Sequence, residues 1–221
     1  MMRLYDYAFS NASVRTRIVM YLKGISFERV TVDLLNCKQL DGTSFLEINP
    51  QGMVPALIDG DMTLNQSLAI AEYLDEIYPD PRLLPADAKA RARVRSLAFM
   101  VACDGQPIVN LRIRRFLRKN LRFSRSELIA WVQHWLQVSL GEYEATLTRS
   151  QSTGAFSYGD EPTIADVCLV PQVLLAKRFG VDLTSYAVLM KIHDHCMSIE
   201  AFQKAAAEYV LADPEFGLDN P

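Results

Sequence analysis

Three prolines within seven residues, Pro79, Pro81 and Pro85, cut this chain of 221 residues into two stretches with different hydrophobic periods. Proline fixes φ, removes a backbone donor and biases the residue before it away from the helix. A helix therefore has to stop at Tyr78, and the segment reads as an extended linker. Before the break the pattern alternates. Arg3 to Tyr7 predicts a strand, and Val14, Ile18, Tyr21, Leu22 and Ile25 recur at helical spacing, with Gly24 placed to end that helix. Phe27 to Val32 predicts a second strand. Val54 to Ile58, the Asp59-Gly60 turn and Met62 to Leu64 predict a hairpin, and Ile70, Leu74 and Ile77 mark a helix. A strand–helix–strand unit needs a crossover, so its strands should be parallel, and the hairpin adds an antiparallel pair to give a small mixed sheet. After the break only helical periods remain. Residues 91–120 and 127–148 read as long helices, and Thr163-Ile-Ala-Asp166 has the form of a capping box opening another helix, with Pro171 inside it. This gives an α/β domain over 1–80, a linker over 81–87, an all-helical domain over 88–210 and a loose tail over 211–221.

Composition narrows what such a chain can do. With 50% hydrophobic and 22% charged residues it can bury a core without covalent staples. The longest apolar run, Leu97 to Cys103, falls far short of the ~20 residues of a membrane span, and no basic segment followed by an apolar one opens the chain, so neither membrane nor secretory signal is expected. A net charge of −3 argues against nucleic acid as a general partner. Cys37, Cys103, Cys168 and Cys196 form no C-x-x-C pair, and His134, His193 and His195 have no zinc-ligand spacing. The expectation is buried free thiols, a cytoplasmic setting and no metal.

Three short segments could carry chemistry. Ser10-Asn-Ala-Ser13-Val-Arg15 lies between the first strand and the first helix. The opening amides of a helix lack internal partners and its dipole is positive there, so a thiolate could be stabilised with a hydroxyl as an added donor, or the serine is only a cap. In Asn49-Pro-Gln-Gly-Met-Val54-Pro55, Pro55 is either an ordinary trans proline at a strand start or a cis proline. The cis form would turn the Val54 backbone outward to pair with an extended peptide. Gln66-Ser67 opens the next helix, where the hydroxyl and free amides could hold a carboxylate or simply cap.

The order of these segments, together with Tyr21-Leu-Lys-Gly, Gln66-Ser-Leu-Ala-Ile-Ala-Glu-Tyr-Leu, Ala102-Cys-Asp, Gln106-Pro-Ile-Val-Asn110-Leu, Tyr158-Gly-Asp-Glu-Pro-Thr-Ile-Ala-Asp166 and Arg178-Phe179, resembles the zeta-class glutathione transferases, the class of maleylacetoacetate and maleylpyruvate isomerases. The resemblance spans roughly residues 2–210. It implies a thioredoxin-like glutathione-binding domain followed by an all-helical substrate domain, a homodimer, and glutathione as cosubstrate of a small dicarboxylic diketo acid. It assigns catalysis to the Ser10-Asn11-Ala12 turn. Glutathione binding falls to Ser10, Ser13, Arg15, Val54, Gln66, Ser67, Gln106 and Asn110, and the acid to Arg15, Arg112 and Arg178. The implied activity is cis–trans isomerisation by reversible thiolate addition, with maleylacetoacetate favoured by Gln106 and maleylpyruvate next. Alternatives are a transferase or dehalogenase acting on halogenated acids, and a non-catalytic binding protein on the same scaffold.

Two departures bear on substrate. Ala12 stands where the class carries a side chain able to touch sulfur or substrate, and Phe9 stands where members commonly carry arginine. Separately, Arg112, Arg114, Arg115, Arg118, Lys119, Arg122 and Arg125 form an acid-free basic stretch. It reads as a solvated or interface face, or as a wall that draws in a dianion.

Overall fold

The computed structural model describes residues 1–39 and 41–210, so the expected tail over 211–221 lies outside the described residues. The described chain forms two compact units. One takes Met1–Leu84 together with the helix Glu200–Val210, and the other takes Pro85–Ile199.

The first unit is a five-stranded sheet in the order β3-β2-β1-β4-β5 with helices packed on it. Strand β1 (Met2–Asp6) pairs in parallel with β2 (Phe27–Asp33) and antiparallel with β4 (Ala56–Asp59), which closes a hairpin with β5 (Met62–Asn65). The parallel pair and the hairpin agree with the sequence. The hairpin turns at Gly60, whose φ of +61° suits glycine. A two-residue strand, β3 (Lys38–Gln39), and a single turn at Phe45–Glu47 lie between β2 and β4. Tyr5, Val32, Phe45, Val54 and Ala56 form a core beneath this edge.

Helix α1 (Asn11–Leu22) ends just ahead of Gly24 and is buried nearly all round, arginines included. A buried guanidinium is tolerable only when paired. Arg17, with no exposed side-chain surface, donates through Nη1 to both Asp6 oxygens at 2.8 Å, and Arg29 also bonds Asp6. Helix α2 (Ser67–Ile77) is tied to α1 by Lys23, whose buried ammonium reaches Asp75 at 2.5 Å, the Tyr78 carbonyl at 2.6 Å and the Pro81 carbonyl at 2.5 Å. The Asp75 carboxylate also accepts from the amides of Leu83 and Leu84, both buried. The segment read as a linker is thus anchored to the first unit as far as Leu84.

The second unit is helical. The long helix expected over 91–120 is instead broken. Helix α3 (Ala88–Phe99) widens into a π-helical turn at Met100–Gly105, tightens into a 3₁₀ turn at Pro107–Val109, and resumes as α4 (Leu111–Lys119). The reason is packing that no local propensity reveals: a Cβ on Gly105 would lie 2.8 Å from the Ser139 Cβ, so only glycine lets the turn approach the next helix, and Pro107 ends the regular bonding. Helix α5 (Arg125–Arg149) starts with a full Ser124/Glu127 capping box. Helix α6 (Ile164–Arg178) begins with the expected box at Thr163 and Asp166 and keeps Pro171 inside it. Helix α7 (Ala187–Cys196) carries the histidine pair expected on a surface helix, yet His193 is buried and only His195 is exposed. Burial pushes the His193 pKa down. The expectation of buried thiols holds for Cys168 and Cys196, whereas Cys37 is half-buried and Cys103 exposed. Burial holds the Cys196 thiol far above its ordinary value.

Helix α8 (Glu200–Val210), placed by its sequence position in the helical domain, packs on α1 of the first unit. Lys204 sits 4.4 Å from the Tyr21 ring centre, and the Ala205 carbonyl accepts from Arg17 at 3.5 Å.

Candidate active site

In the first unit the candidate residues gather at two helix starts. The chain leaves β1 through a turn closed by the Ser10 amide donating to the Tyr7 carbonyl at 3.0 Å, then enters α1. Ser10 is the cap: its Oγ accepts from the Ser13 amide at 3.2 Å and its carbonyl accepts from the Val14 amide at 2.8 Å. A hydroxyl that accepts through a lone pair still has its proton to donate, so capping and activation of a sulfur are compatible for one serine. The first turn of α1 contains no acid, so nothing in it offsets the positive end of the helix. Asn11 and Ser13 are buried, while Ser10 and Ala12 are half-buried. Ala12 presents no polar side chain, only its backbone.

Helix α2 starts without a side-chain cap and without an acid in its first turn. Gln66, at a φ of +71°, bonds Gln51 through Nε2 at 3.0 Å. Ser67, buried, receives the Nε–H of Arg15 at 3.0 Å. Arg15 is 3% exposed and joins the second turn of α1 to the start of α2, holding the Ser67 hydroxyl in place. The third segment ends in a cis Val54–Pro55 bond, with Val54 buried. A residue that motif reading passed over shapes this loop. Asn49, buried, donates from Nδ2 to the Met53 carbonyl at 2.6 Å and accepts the Gln51 amide on Oδ1 at 3.1 Å. The signal available was Asn-Pro followed by glycine, a turn-forming set.

In the second unit the candidates are spread over the broken helix and the end of α6. Gln106 closes the π-helical turn. Asn110 caps α4, accepting the Ile113 amide on Oδ1 at 3.0 Å. Arg112 is exposed on α4, and Arg178 is half-buried in the last turn of α6. Arg114, which the sequence grouped only with the basic stretch, places its guanidinium 5.5 Å from the centre of the Phe179 ring, beside Arg178. Arg118 donates to the Phe123 carbonyl at 3.2 Å. These two members of the basic stretch therefore hold structure, while Arg112, Lys119, Arg122 and Arg125 are exposed. Beneath α6, the buried Asp166 carboxylate accepts from the Ser157 amide at 2.7 Å and from the Thr163 amide and hydroxyl at 2.8 Å. Burial pushes its pKa up while those donors pull it down. Among the described residues no three His, Cys, Asp or Glu side chains group as metal ligands, and no helix is long and apolar enough to cross a membrane.

The first unit thus holds a serine-capped helix start after β1, a cis-proline loop and an uncapped start to α2. Residues 4–82 match the family model for the glutathione S-transferase N-terminal domain. The chain is 44% identical to a maleylpyruvate isomerase of a Ralstonia species, over 93% of this chain and 96% of that protein. It is 43% identical to the maleylacetoacetate isomerase of Rhizobium meliloti, over 91% and 94%. Among solved structures it superposes on a maleylpyruvate isomerase described as a bacterial zeta-class glutathione S-transferase with a TM-score of 0.88 at 43% identity, covering 94% of this chain and 97% of that one. It also superposes on the maleylacetoacetate isomerase of Methylobacterium extorquens AM1 with bound malonate and GSH, with a TM-score of 0.86 at 37% identity over 94% and 97%. At 43–44% identity to such enzymes over more than nine tenths of its length, and with a thioredoxin-like unit followed by a helical one, the chain belongs to the zeta class of glutathione transferases.

Proposed function

We propose that the protein is a glutathione-dependent cis–trans isomerase of a maleyl diketo acid, with maleylacetoacetate the favoured substrate and maleylpyruvate the next. The observation that carries this reading is Ser10. It caps α1 through its oxygen, keeps a proton to donate, and stands at a positive helix end with no acid in its first turn. The first unit also suits the rest of the tripeptide. The acid-free start of α2, with Ser67 held by Arg15, fits a carboxylate, Gln66 offers its amide beside it, and the chain before Pro55 fits an extended peptide at Val54. When bound, glutathione supplies a thiolate that adds reversibly to the cis double bond of the acid and leaves after that bond has rotated.

The residues of this chain then have two tasks. Ser10 and the opening amides of α1 keep the sulfur ionised near neutrality. A thiol of pKa ~8.5 needs only ~2 kcal/mol for that, within reach of one hydroxyl donor and one helix end. Cationic groups must hold the carboxylates and the charge that develops on the conjugated carbonyl. Arg178 and Arg112 are assigned that task, with Gln106 and Asn110 as polar groups of the helical unit. Arg15 acts from its buried place, by fixing Ser67 and by its charge. Ala12 contributes backbone only. The homodimer and the cytoplasmic setting belong to the same proposal; four cysteines without a bridge suit a reducing compartment.

The test is retention on a glutathione resin followed by isomerisation of maleylacetone and maleylpyruvate with and without glutathione. Ser10→Ala should lower glutathione-dependent turnover about tenfold or more, equivalent to ~1.4 kcal/mol of barrier, while the melting temperature falls only by the few degrees that loss of one helix cap costs. Unchanged turnover in that variant would remove Ser10 from the mechanism. Retention of the wild type without turnover on either acid would favour the binding-protein alternative or an acid bearing a halogen.

A further inference from the structure

The turn that carries Ser10 is gripped from outside its own motif. The Arg17 guanidinium, pinned by Nη1 to both Asp6 oxygens, extends Nη2 to the Ala8 carbonyl at 3.2 Å, two residues before Ser10, and to the Ala205 carbonyl of α8 at 3.5 Å. One planar group thus joins the end of β1, the turn, α1 and α8. On the other side of the turn, the Phe9 ring lies 5.6 Å from the Tyr7 ring and 6.1 Å, edge-on, from the ring of Tyr209, which is 3% exposed. Phe9 immediately precedes Ser10. The turn is therefore held at Ala8 by a charge-assisted donor and at Phe9 by an aromatic from a helix about two hundred residues away in sequence.

We propose that Arg17 and Tyr209 are positioning residues for the reaction: α8 braces the Tyr7–Ser10 turn so that the Ser10 hydroxyl stays aimed at the sulfur. This rests on the assignment of Ser10 above. A hydrogen bond to sulfur weakens steeply with misalignment, and a site loose by about 1 Å loses much of its rate. Lysine at position 17 keeps a charge for Asp6 but has one nitrogen and cannot also serve Ala8 in the same plane. Phenylalanine at 209 keeps the ring; leucine keeps apolar volume without it.

The experiment uses the full chain and reads the pKa of enzyme-bound glutathione from the ultraviolet absorbance of its thiolate, alongside kcat, the glutathione Kd and the melting temperature. Arg17→Lys and Tyr209→Leu should each raise the bound thiol's pKa and lower kcat near neutral pH by about three- to tenfold, with the glutathione Kd within about twofold of wild type. Tyr209→Phe, which keeps the ring contact with Phe9, should retain the wild-type thiol pKa and kcat. Lower melting temperatures with an unchanged thiol pKa and kcat would make the brace merely structural and overturn the proposal. The control is Ser10→Ala. If it moves the thiol pKa and the Arg17 and Tyr209 variants do not, only the brace falls. If Ser10→Ala itself leaves that pKa in place, the Ser10 assignment falls, and the brace with it.

Discussion

Each unit buries an aspartate completely, and the two are satisfied by opposite means. Asp6, at the end of β1, is paired with Arg17 and Arg29. Asp166, at the start of α6, takes its hydrogen bonds from the Ser157 amide and from the amide and hydroxyl of Thr163. The first arrangement joins strand, turn and two helices through side chains. The second folds a short loop onto the helix it caps. The same contrast holds for the arginines. In the first unit Arg15 and Arg17 are interior parts, whereas in the second Arg112, Arg122 and Arg125 face solvent. A buried arginine spends its donors on the fold and acts on a ligand indirectly. An exposed one contributes its charge to the long-range field.

The sharpest way to break this comparison is at Asp166. Asp166→Ala should cost about 3–5 kcal/mol, because it strands three buried donors at once, and thermal unfolding measures it. A cost below about 1 kcal/mol would mean that the loop before α6 finds other acceptors. Next comes the glycine that breaks the long helix. Gly105→Ala sets a Cβ 2.8 Å from that of Ser139 and should destabilise by about 1–3 kcal/mol. Ser139→Gly in the same chain should recover most of the loss, and a double-mutant cycle showing simple additivity would place the clash elsewhere. The smallest effect sharpens the functional half of the contrast. Arg178→Ala should raise KM for the acid about tenfold, or ~1.4 kcal/mol, while the glutathione Kd barely changes. Equal weakening of both ligands would assign Arg178 to the fold instead.

The caps, stops and turns were readable because their signals are local. The cap at Ser10, the helix stop near Gly24, the hairpin turn at Gly60 and the Thr163/Asp166 box each depend on residues a few positions apart, where hydrogen-bond geometry follows from sequence spacing. Arg15 shows where such reading ends. Its place in the motif suggests a ligand contact, and only the packing of α1 against α2 turns its Nε toward Ser67. The break between α3 and α4 was hidden for a similar reason. Residues 91–120 hold a helical period, but Gly105 is required by a side chain 34 positions later.

From its sequence alone the chain declared a mixed α/β half and a helical half, the prolines that separate them, and two helix starts, one suited to a thiolate and one to a carboxylate. Tertiary structure decided that the last described helix belongs with the first half, that Leu83 and Leu84 are anchored rather than free, that the Val54–Pro55 bond is cis, and that Asp6, Ala8, Arg17 and Ala205 share one guanidinium. Caps and turns are settled by neighbours along the chain, whereas the partners of a buried charge are settled by whichever surfaces close over it, and those come from distant parts of the sequence.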